Sequence, residues 1–495
     1  MDIPLFLPLS RNSLGLAILL PCFIIAYYML RSQRSKLADF PVVGKRDSAD
    51  FRAALEEGCR MYPDSAYILP TPIRPTVILP ATLVDEVIRQ PEDVLATREE
   101  VDDRFLAKYT LLTADDHMIR RSVNLITRNV SEIMNDIAHE LDLDISKALN
   151  VDTAWKSTNI HTAILQLVAQ INSRVFVGLE LSQNVEWVDA IINYTVQVMI
   201  AVQKLLEYPT FLHSVVQYLL PEIRTIHQSL ASCCRLLQPV LDERKQNLAE
   251  PFFKKPKDMI QGVIDYAPEG RGSVLEFQGR SQMILGLAST HTTSITLENA
   301  LYDLAANPQC LQPLRDELEK MIEQDGGNLL VKSFTMLRKM DSFLRESQRM
   351  NPVDLLSLRR KTKVAKKFCD GTKVPAGTSI AIPVSIVRND GTLTNPDVFD
   401  AFRFQKLGDA EGNLNKYLYV NTDANSLGFG HGVHACPGRF FAAIEVKLIL
   451  AHILLHYDIK FADGIQRPKT TYYGTNIGPN LDVEIMLRKR VKGTS

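Results

Sequence analysis

Tryptophan and cysteine are scarce in this chain of 495 residues, with two tryptophans, Trp155 and Trp187, and seven cysteines. The cysteines, Cys22, Cys59, Cys233, Cys234, Cys310, Cys369 and Cys436, are odd in number and scattered. That pattern excludes a disulfide framework and points to a reducing compartment for the main body. An excess of charge is also missing: Lys and Arg total 56, Asp and Glu 57, and the net charge is −1. No bulk electrostatic attraction to nucleic acid follows from such a balance. Basic arms, internal repeats and low-complexity tracts are absent as well.

The chain does have the balance of a globular protein, 46% hydrophobic and 23% charged. Its length suits one large domain or two to three ordinary ones. One long charge-free run stands at the N-terminus, LGLAILLPCFIIAYYML from Leu14 to Leu30. It is at the short end of a membrane span, and Arg31, Arg34 and Lys36 follow it, which predicts an uncleaved anchor with the body on the cytosolic side. A cleaved signal peptide is the rival, but Tyr27-Tyr28-Met29-Leu30 offers no small-x-small cleavage site. The expected organisation is therefore an anchor with its basic flank over 1–36, then a single body over 37–495. Phe40-Pro41-Val42-Val43-Gly44 reads as a stiff hinge between them.

Along the body, 66–69 and 76–79 read as a hairpin around the proline-rich PTPIRP, and a helical pattern starts near Ala81. Helical periodicity returns over 115–149, where His117, Arg120, Arg121 and Arg128 form either a solvated basic face or include a partner for a buried anion. Further helices are expected over 159–177, 187–206, 277–306, 311–321 and 335–350, with loop at 249–257. Strands are expected at 380–387, 470–474 and 483–487. The helix at 277–306 changes character midway, where Ala288 to Thr293 read ASTHTT. Hydroxyl side chains there compete with the backbone, so the segment marks a groove or a local distortion, or else a tolerated polar face.

Glu346 and Arg349 are spaced i, i+3 and share a helix face. Either they are a surface pair of little worth, or a buried pair that organises the core. Arg403 lies between Phe402 and Phe404, a placement that favours burial of its guanidinium. Last comes FGHGVHACPGRF, from Phe429 to Phe440, followed by an apolar helical run. Gly430, Gly432 and Gly438 permit unusual backbone angles, and Pro437 fixes φ just after Cys436. Cys436 thus stands on a rigid turn at a helix entrance, where N–H groups favour its thiolate. His431, His434 and Cys436 are also three potential zinc ligands. No second C-x-x-C or H-x-x-x-H lies nearby to complete a tetrahedron.

Taken together and in order, these segments resemble the cytochrome P-450 superfamily of haem-thiolate monooxygenases. Phe429, Gly432, Cys436 and Gly438 match its haem loop, F-x-x-G-x-R-x-C-x-G, with His434 at the arginine position. Glu346 and Arg349 match its E-x-x-R helix. FDAFRF at 399–404 is similar to its aromatic–arginine segment, with Ala401 near the position of the usual proline and Arg403 as third partner. ASTHTT resembles A-G-x-D/E-T-T, with His291 at the acidic position and Thr292 at the oxygen-handling threonine.

The resemblance implies a mainly α fold with small β-sheets (α+β), with haem b between the oxygen-handling helix and the cysteine-loop helix. It implies Cys436 as axial thiolate, and Phe429, Gly432 and Gly438 shaping the loop. His434, Arg359 (thirteen residues after Glu346) and Arg128 would hold the haem propionates. Glu346, Arg349 and Arg403 would form the structural core behind the haem. His291 would be a proton relay or a spacer. Substrate would lie against 286–293, 353–358 and 95–115.

The partners implied are NADPH–cytochrome P-450 reductase, a lipophilic small molecule and the endoplasmic reticulum membrane, with no nucleic acid. FGHGVHACPGRFFAA and HTT are similar to filamentous-fungal members, many acting on terpenoids and related secondary metabolites. Oxygen insertion is the expected reaction. Desaturation, dehydration or rearrangement on a haem-thiolate centre, and a zinc-binding membrane scaffold, are the alternatives.

Overall fold

A computed structural model describes residues 37–491 apart from 38, 114, 249, 251, 329, 389–392, 414 and 479. The expected anchor at 14–30 and its flank lie outside these residues. The body is mainly helical. The helices used below are α1 (Asp116–Arg128), α2 (Val130–Leu149), α3 (Ile160–Val177), α4 (Val185–Leu206), α5 (Pro221–Asn247), α6 (Leu275–Ala306), α7 (Leu311–Gln324), α8 (Arg338–Met350), α9 (Arg403–Ala410) and α10 (Arg439–His456). The strands are β1 (Tyr67–Leu69), β2 (Thr76–Ile78), β3 (Leu95–Ala96), β4 (Lys156–Asn159), β5 (Leu356–Thr362), β6 (Ser379–Pro383), β7 (Tyr457–Lys460), β8 (Thr471–Tyr473), β9 (Asn476–Gly478) and β10 (Glu484–Lys489).

The helices begin where their sequences say they should. Asp115, Asn159 and Asn184 each accept a hydrogen bond from an N–H in the first turn of the helix that follows, capping α1, α3 and α4. α1 and α2 divide the expected 115–149 helix at Asn129, whose side chain bonds back to the Leu125 carbonyl. α6 runs 32 residues through the centre and packs against α3, α4, α5, α8 and α10. With neighbours on most sides it buries polar side chains as well as apolar ones, among them Gln278, Gln282, Ser294, Glu298 and Asp303.

Five strands form the main sheet in the order β1-β2-β6-β5-β3, with β2 and β6 parallel and the other pairs antiparallel. The expected hairpin at 66–79 is β1 and β2, with Tyr67 opposite Ile78. The expected strand at 380–387 is cut short: β6 ends at Pro383, and 385–388 turn into a short helix. Proline has no N–H to continue the ladder. A second apolar cluster packs on this sheet, through Leu69, Val77, Leu355, Ile380 and Ile382. β4, β10 and β7 make a three-stranded sheet, and β8–β9 a hairpin.

α4 is the one helix among the described residues long and apolar enough to cross a membrane. Its face bearing Trp187, Ile191, Tyr194 and Val198 is buried in the main core, which makes it a core helix by packing. The crossing of α4 and α6 is close because Gly286 has no side chain; a Cβ there would stand 2.4 Å from Ile191 Cγ2. Gly286→Ala is expected to destabilise the protein by about 1–3 kcal/mol, because the crossing has no room to relax without moving a helix. Thermal melting of the purified protein checks this, and an unchanged Tm would contradict it.

Candidate active site

α8 is rich in charged and polar side chains, yet nine of its thirteen residues are buried. The reason is that its polar groups tie down the segment 394–423. Glu346, 0% exposed, accepts from Arg349 at 2.8 and 2.9 Å and from Arg403 Nε at 3.1 Å. The Asp400 N–H also donates to it at 3.1 Å. Arg403 spends its remaining donors on the carbonyls of Thr394, Asn395 and Val398. One turn back, Ser342 Oγ accepts from the N–H groups of Phe404 and Gln405, capping α9. Arg345 pairs with Asp423 at 3.0 Å and lies over the rings of Phe404 and Tyr417. Asp341 holds Lys447 of α10 at 2.8 Å and the Tyr419 N–H at 3.0 Å. Of the two alternatives for Glu346 and Arg349, the geometry is therefore the buried pair, and Arg403 joins it.

This scaffold presents the cysteine loop. Tyr419 meets Phe429 edge to face. The Cys436 N–H donates to the Phe429 carbonyl at 2.7 Å, closing the turn. Gly432 has φ +73°, and a Cβ there would lie 2.8 Å from Ile88 Cβ. Gly430 also has a positive φ, +67°. Only glycine meets both demands at Gly432. Cys436 stands just before α10, with the N–H groups of Gly438 and Arg439 directed at its sulfur. Burial pushes the thiol above its ordinary value, opposed by those N–H groups and by the Arg439 and Arg120 guanidiniums. The helix entrance favours the thiolate, as the sequence implies, but burial is the larger effect.

Facing α10 across the core is the hydroxyl-rich middle of α6. Ala288 and Thr292, one turn apart, are exposed, although Leu285, Gly286, Thr290 and Thr293 around them are buried. In a helix packed on several sides, such exposure marks unfilled space, a void, beside this face. Thr292 Oγ1 lies on that face and donates to the Ala288 carbonyl at 2.7 Å. His291 points elsewhere: its Nε2 is 3.4 Å from the Ile192 carbonyl of α4. Burial, and then His161, keep this imidazole below its ordinary pKa.

A basic cluster flanks the cysteine loop. Arg120 of α1 donates to the Val433 carbonyl and, at 2.9 Å, to His434 Nδ1. That assigns the His434 proton to Nε2, which is 3.1 Å from Glu92 Oε1. Arg360 is only 3% exposed, and its Nε and Nη2 have no protein partner among the described residues. Burial first, then Arg360, lowers the pKa of His434.

Two expected members of this cluster are placed elsewhere. Arg359 bonds Asp354 at 3.0–3.1 Å and Thr475 at 2.6 Å. The register of β5 against β6 shifts between Ser357 and Arg360, where Leu358 takes φ +48°. That bulge fixes which of the two adjacent arginines faces the loop, and counting residues from Glu346 does not detect it. Arg128 is exposed in the last turn of α1, two turns from Arg120. His431 pairs with Thr422 at 3.0 Å, and no three His, Cys, Asp or Glu side chains converge as a metal site among the described residues. Sequence reasoning left Arg360 unnamed and Arg120 as one of four candidates. The arginine pair at 359–360 was the available signal.

A thiol stands on a glycine turn, a buried carboxylate–arginine triad lies behind it, and a threonine of the central helix is exposed between buried neighbours. A family model described as Cytochrome P450 matches residues 86–478. The chain is 36% identical over 493 residues to cytochrome P450 monooxygenase prx8 of Penicillium rubens, covering 97% of this chain and 91% of that one. Similar likeness joins it to cytochrome P450 monooxygenase BOA4 of Botryotinia fuckeliana, 33% identical over 95% of this chain and 96% of the relative. It is also 31% identical to cytochrome P450 monooxygenase gliF of Aspergillus fumigatus, over 93% and 94% of the two chains. The chain belongs to the cytochrome P450 family and is an oxidoreductase of its monooxygenase kind. Enzymes of this family carry haem on a cysteine thiolate.

The side chains present fit that cofactor. A thiol is available at the loop, the void lies against Thr292, and Arg360 has buried donors without a protein acceptor. Glu346→Ala would leave two guanidiniums buried and unpaired, at a cost of roughly 3–5 kcal/mol. The expected result is loss of soluble protein with bound haem, read as the ratio of haem absorbance to protein in the purified fraction. A second expectation concerns acid. His291 has a folded pKa below the ordinary value of about 6.5, at which the unfolded chain titrates. Its contribution to stability is full above about pH 6.5 and falls as pH drops toward the folded value, because only the unfolded state takes up this proton. His291→Phe is expected to lose less Tm between about pH 7 and about pH 5 than the wild type.

Proposed function

We propose that this enzyme inserts one oxygen atom of O2 into an apolar substrate, a terpenoid or related secondary metabolite. NADPH supplies two electrons through NADPH–cytochrome P450 reductase, and the second oxygen atom leaves as water. Haem b bound through Cys436 supplies the oxygen activation; a thiolate ligand pushes electron density to the iron and favours O–O cleavage. Phe429, Gly432 and Gly438 shape the loop that presents the sulfur. His434, Arg120 and Arg360 receive the propionates, with guanidiniums binding carboxylates more firmly than the neutral imidazole. Glu346, Arg349 and Arg403 fix the loop from behind. Arg359 and Arg128 have no part in this set.

The observation that carries the reading is Thr292, which is exposed with Ala288 on one face of α6 between buried neighbours. A hydroxyl there holds a water or hands on a proton at the reacting oxygen. His291, one residue before it, is turned to the Ile192 carbonyl of α4, so a proton it relays would have to pass through water. Substrate lies against 286–293 of α6.

Support for a membrane seat comes from two places. The charge-free run 14–30 is one. The other is the connection between α4 and α5, where Phe211, Val215, Tyr218 and Leu219 are 51, 63, 77 and 74% exposed. A patch of that kind on one surface marks an interaction site, and a lipid surface would cover it. We place the protein in the endoplasmic reticulum membrane with the body in the cytosol, where an apolar substrate dissolved in the bilayer is at hand.

The full-length protein with the reductase, NADPH and a panel of terpenoids tests this reading. The expected result is a substrate-induced spectral shift and a product heavier by one oxygen atom. A dehydrated or rearranged product without added oxygen would overturn oxygen insertion in favour of the alternative chemistry. Thr292→Ala is expected to keep its haem and lower product formed per NADPH roughly tenfold, at the low end of proton-transfer catalysis. Unchanged coupling would remove the threonine from the mechanism.

A further inference from the structure

Glu92 stands where the cysteine loop meets the chain segment packed on it, between the helix Val84–Ile88 and β3. Both of its carboxylate oxygens accept from the Thr97 N–H, at 3.1 and 3.0 Å, at the entrance of the helix Arg98–Arg104. The same Oε1 lies 3.1 Å from His434 Nε2. Four residues before Glu92, Ile88 packs on Gly432, where a Cβ would stand only 2.8 Å from it. The segment 88–97 is thus fastened to the cysteine loop at two points, one apolar and one polar.

The bonds around His434 decide what each group has left to offer. Nδ1 accepts from Arg120 and Nε2 donates to Glu92, so the ring keeps no N–H and no lone pair for a third partner. Within the basic set its part is therefore to hold Arg120, which also donates to the Val433 carbonyl. The free donors are on guanidiniums, above all Nε and Nη2 of the buried Arg360. Burial works against the Arg360 cation, and Glu92 is first among the carboxylates that favour it. One carboxylate thus orients the imidazole and supports the buried guanidinium.

Charge is the second consequence. A fixed negative charge beside a redox centre opposes the arrival of an electron there, and salt weakens that opposition. The Glu92 side chain is 44% exposed, so dissolved ions reach it.

We propose that Glu92 is a positioning residue of the haem site: it holds His434, and through it Arg120, in place for the propionates, and its negative charge keeps the reduction potential of the bound haem low. This inference rests on the haem-thiolate reading above. It bears on the step in which the reductase passes its electron, and it leaves the chemistry at Thr292 untouched.

Glu92→Gln and Glu92→Leu separate the two parts of the proposal. Glutamine keeps one carbonyl oxygen, and Oε1 is within 3.1 Å of both Thr97 N and His434 Nε2, but it carries no charge. Leucine keeps neither the acceptor nor the charge. His434→Phe cuts the same link from its other end. The full-length wild type and the three variants are purified with haem, and the reduced CO-difference spectrum is recorded first. Reduction potentials are then measured by spectroelectrochemical titration at low salt and at about 1 M salt, and haem loss by transfer to apomyoglobin. Glu92→Gln is expected to hold haem as the wild type does and to have a more positive potential, by a margin that shrinks at high salt. Glu92→Leu and His434→Phe are expected to lose haem roughly tenfold faster, the equivalent of one charge-assisted hydrogen bond. An unchanged potential in Glu92→Gln would overturn the charge role. Haem loss at the wild-type rate in Glu92→Leu, or in His434→Phe where the leucine variant does not fold, would overturn the positioning role. A wild type with no thiolate band would instead overturn the haem-thiolate reading itself.

Discussion

The structure depends on one buried anion. Glu346 is entirely enclosed and is surrounded by donors from Arg349, Arg403 and the Asp400 backbone. A carboxylate so placed is tolerable only because every partner is present at once, and the same holds for both guanidiniums. The consequence reaches beyond the triad. Arg403 gathers the irregular segment 394–398 by its carbonyls. Ser342, Asp341 and Arg345 continue the hold along α8 as far as Tyr419 and Asp423. The stretch from 394 to 423, mostly irregular apart from α9, is thereby bonded to α8, and it leads into the cysteine loop.

The loop then needs little chemistry of its own. Its backbone turns on Gly430 and Gly432, its own N–H closes it, and α10 begins immediately after the thiol. Opposing effects act on the sulfur: burial favours the thiol, whereas the helix entrance and two arginines favour the thiolate. A bound metal removes that conflict, because coordination deprotonates a thiol outright. The basic cluster follows the same logic. Arg360 is buried, and its Nε and Nη2 face no acceptor among the described residues, which is costly unless an anion takes them. The haem carboxylates proposed to meet Arg360, Arg120 and His434 supply that anion.

Much of this is legible in the sequence, for reasons that differ by element. Helices such as α3 and α4 announce themselves because apolar periodicity and Asn caps act locally. Cys436 and Glu346 are found because a glycine turn and an i, i+3 pair are also local. Arg359 and Arg360 show where locality ends. Which of two adjacent arginines turns to the loop depends on a bulge between β5 and β6, and so on a strand pairing that no short window contains. Arg120 and Arg128 differ in the same way, since both lie on α1 and only the docking of that helix against Val433 and His434 separates them. β5 itself was not expected, because its arginines and lysine obscure the alternation.

The account comes down to whether Cys436 is the ligand on which the scaffold converges. The most direct measurement is the reduced CO-difference spectrum of the purified full-length protein beside its Cys436→Ala variant. The account predicts a Soret band at the thiolate position in the wild type and none at that position in the variant. A wild type without such a band, or a variant that keeps it, would contradict the assignment.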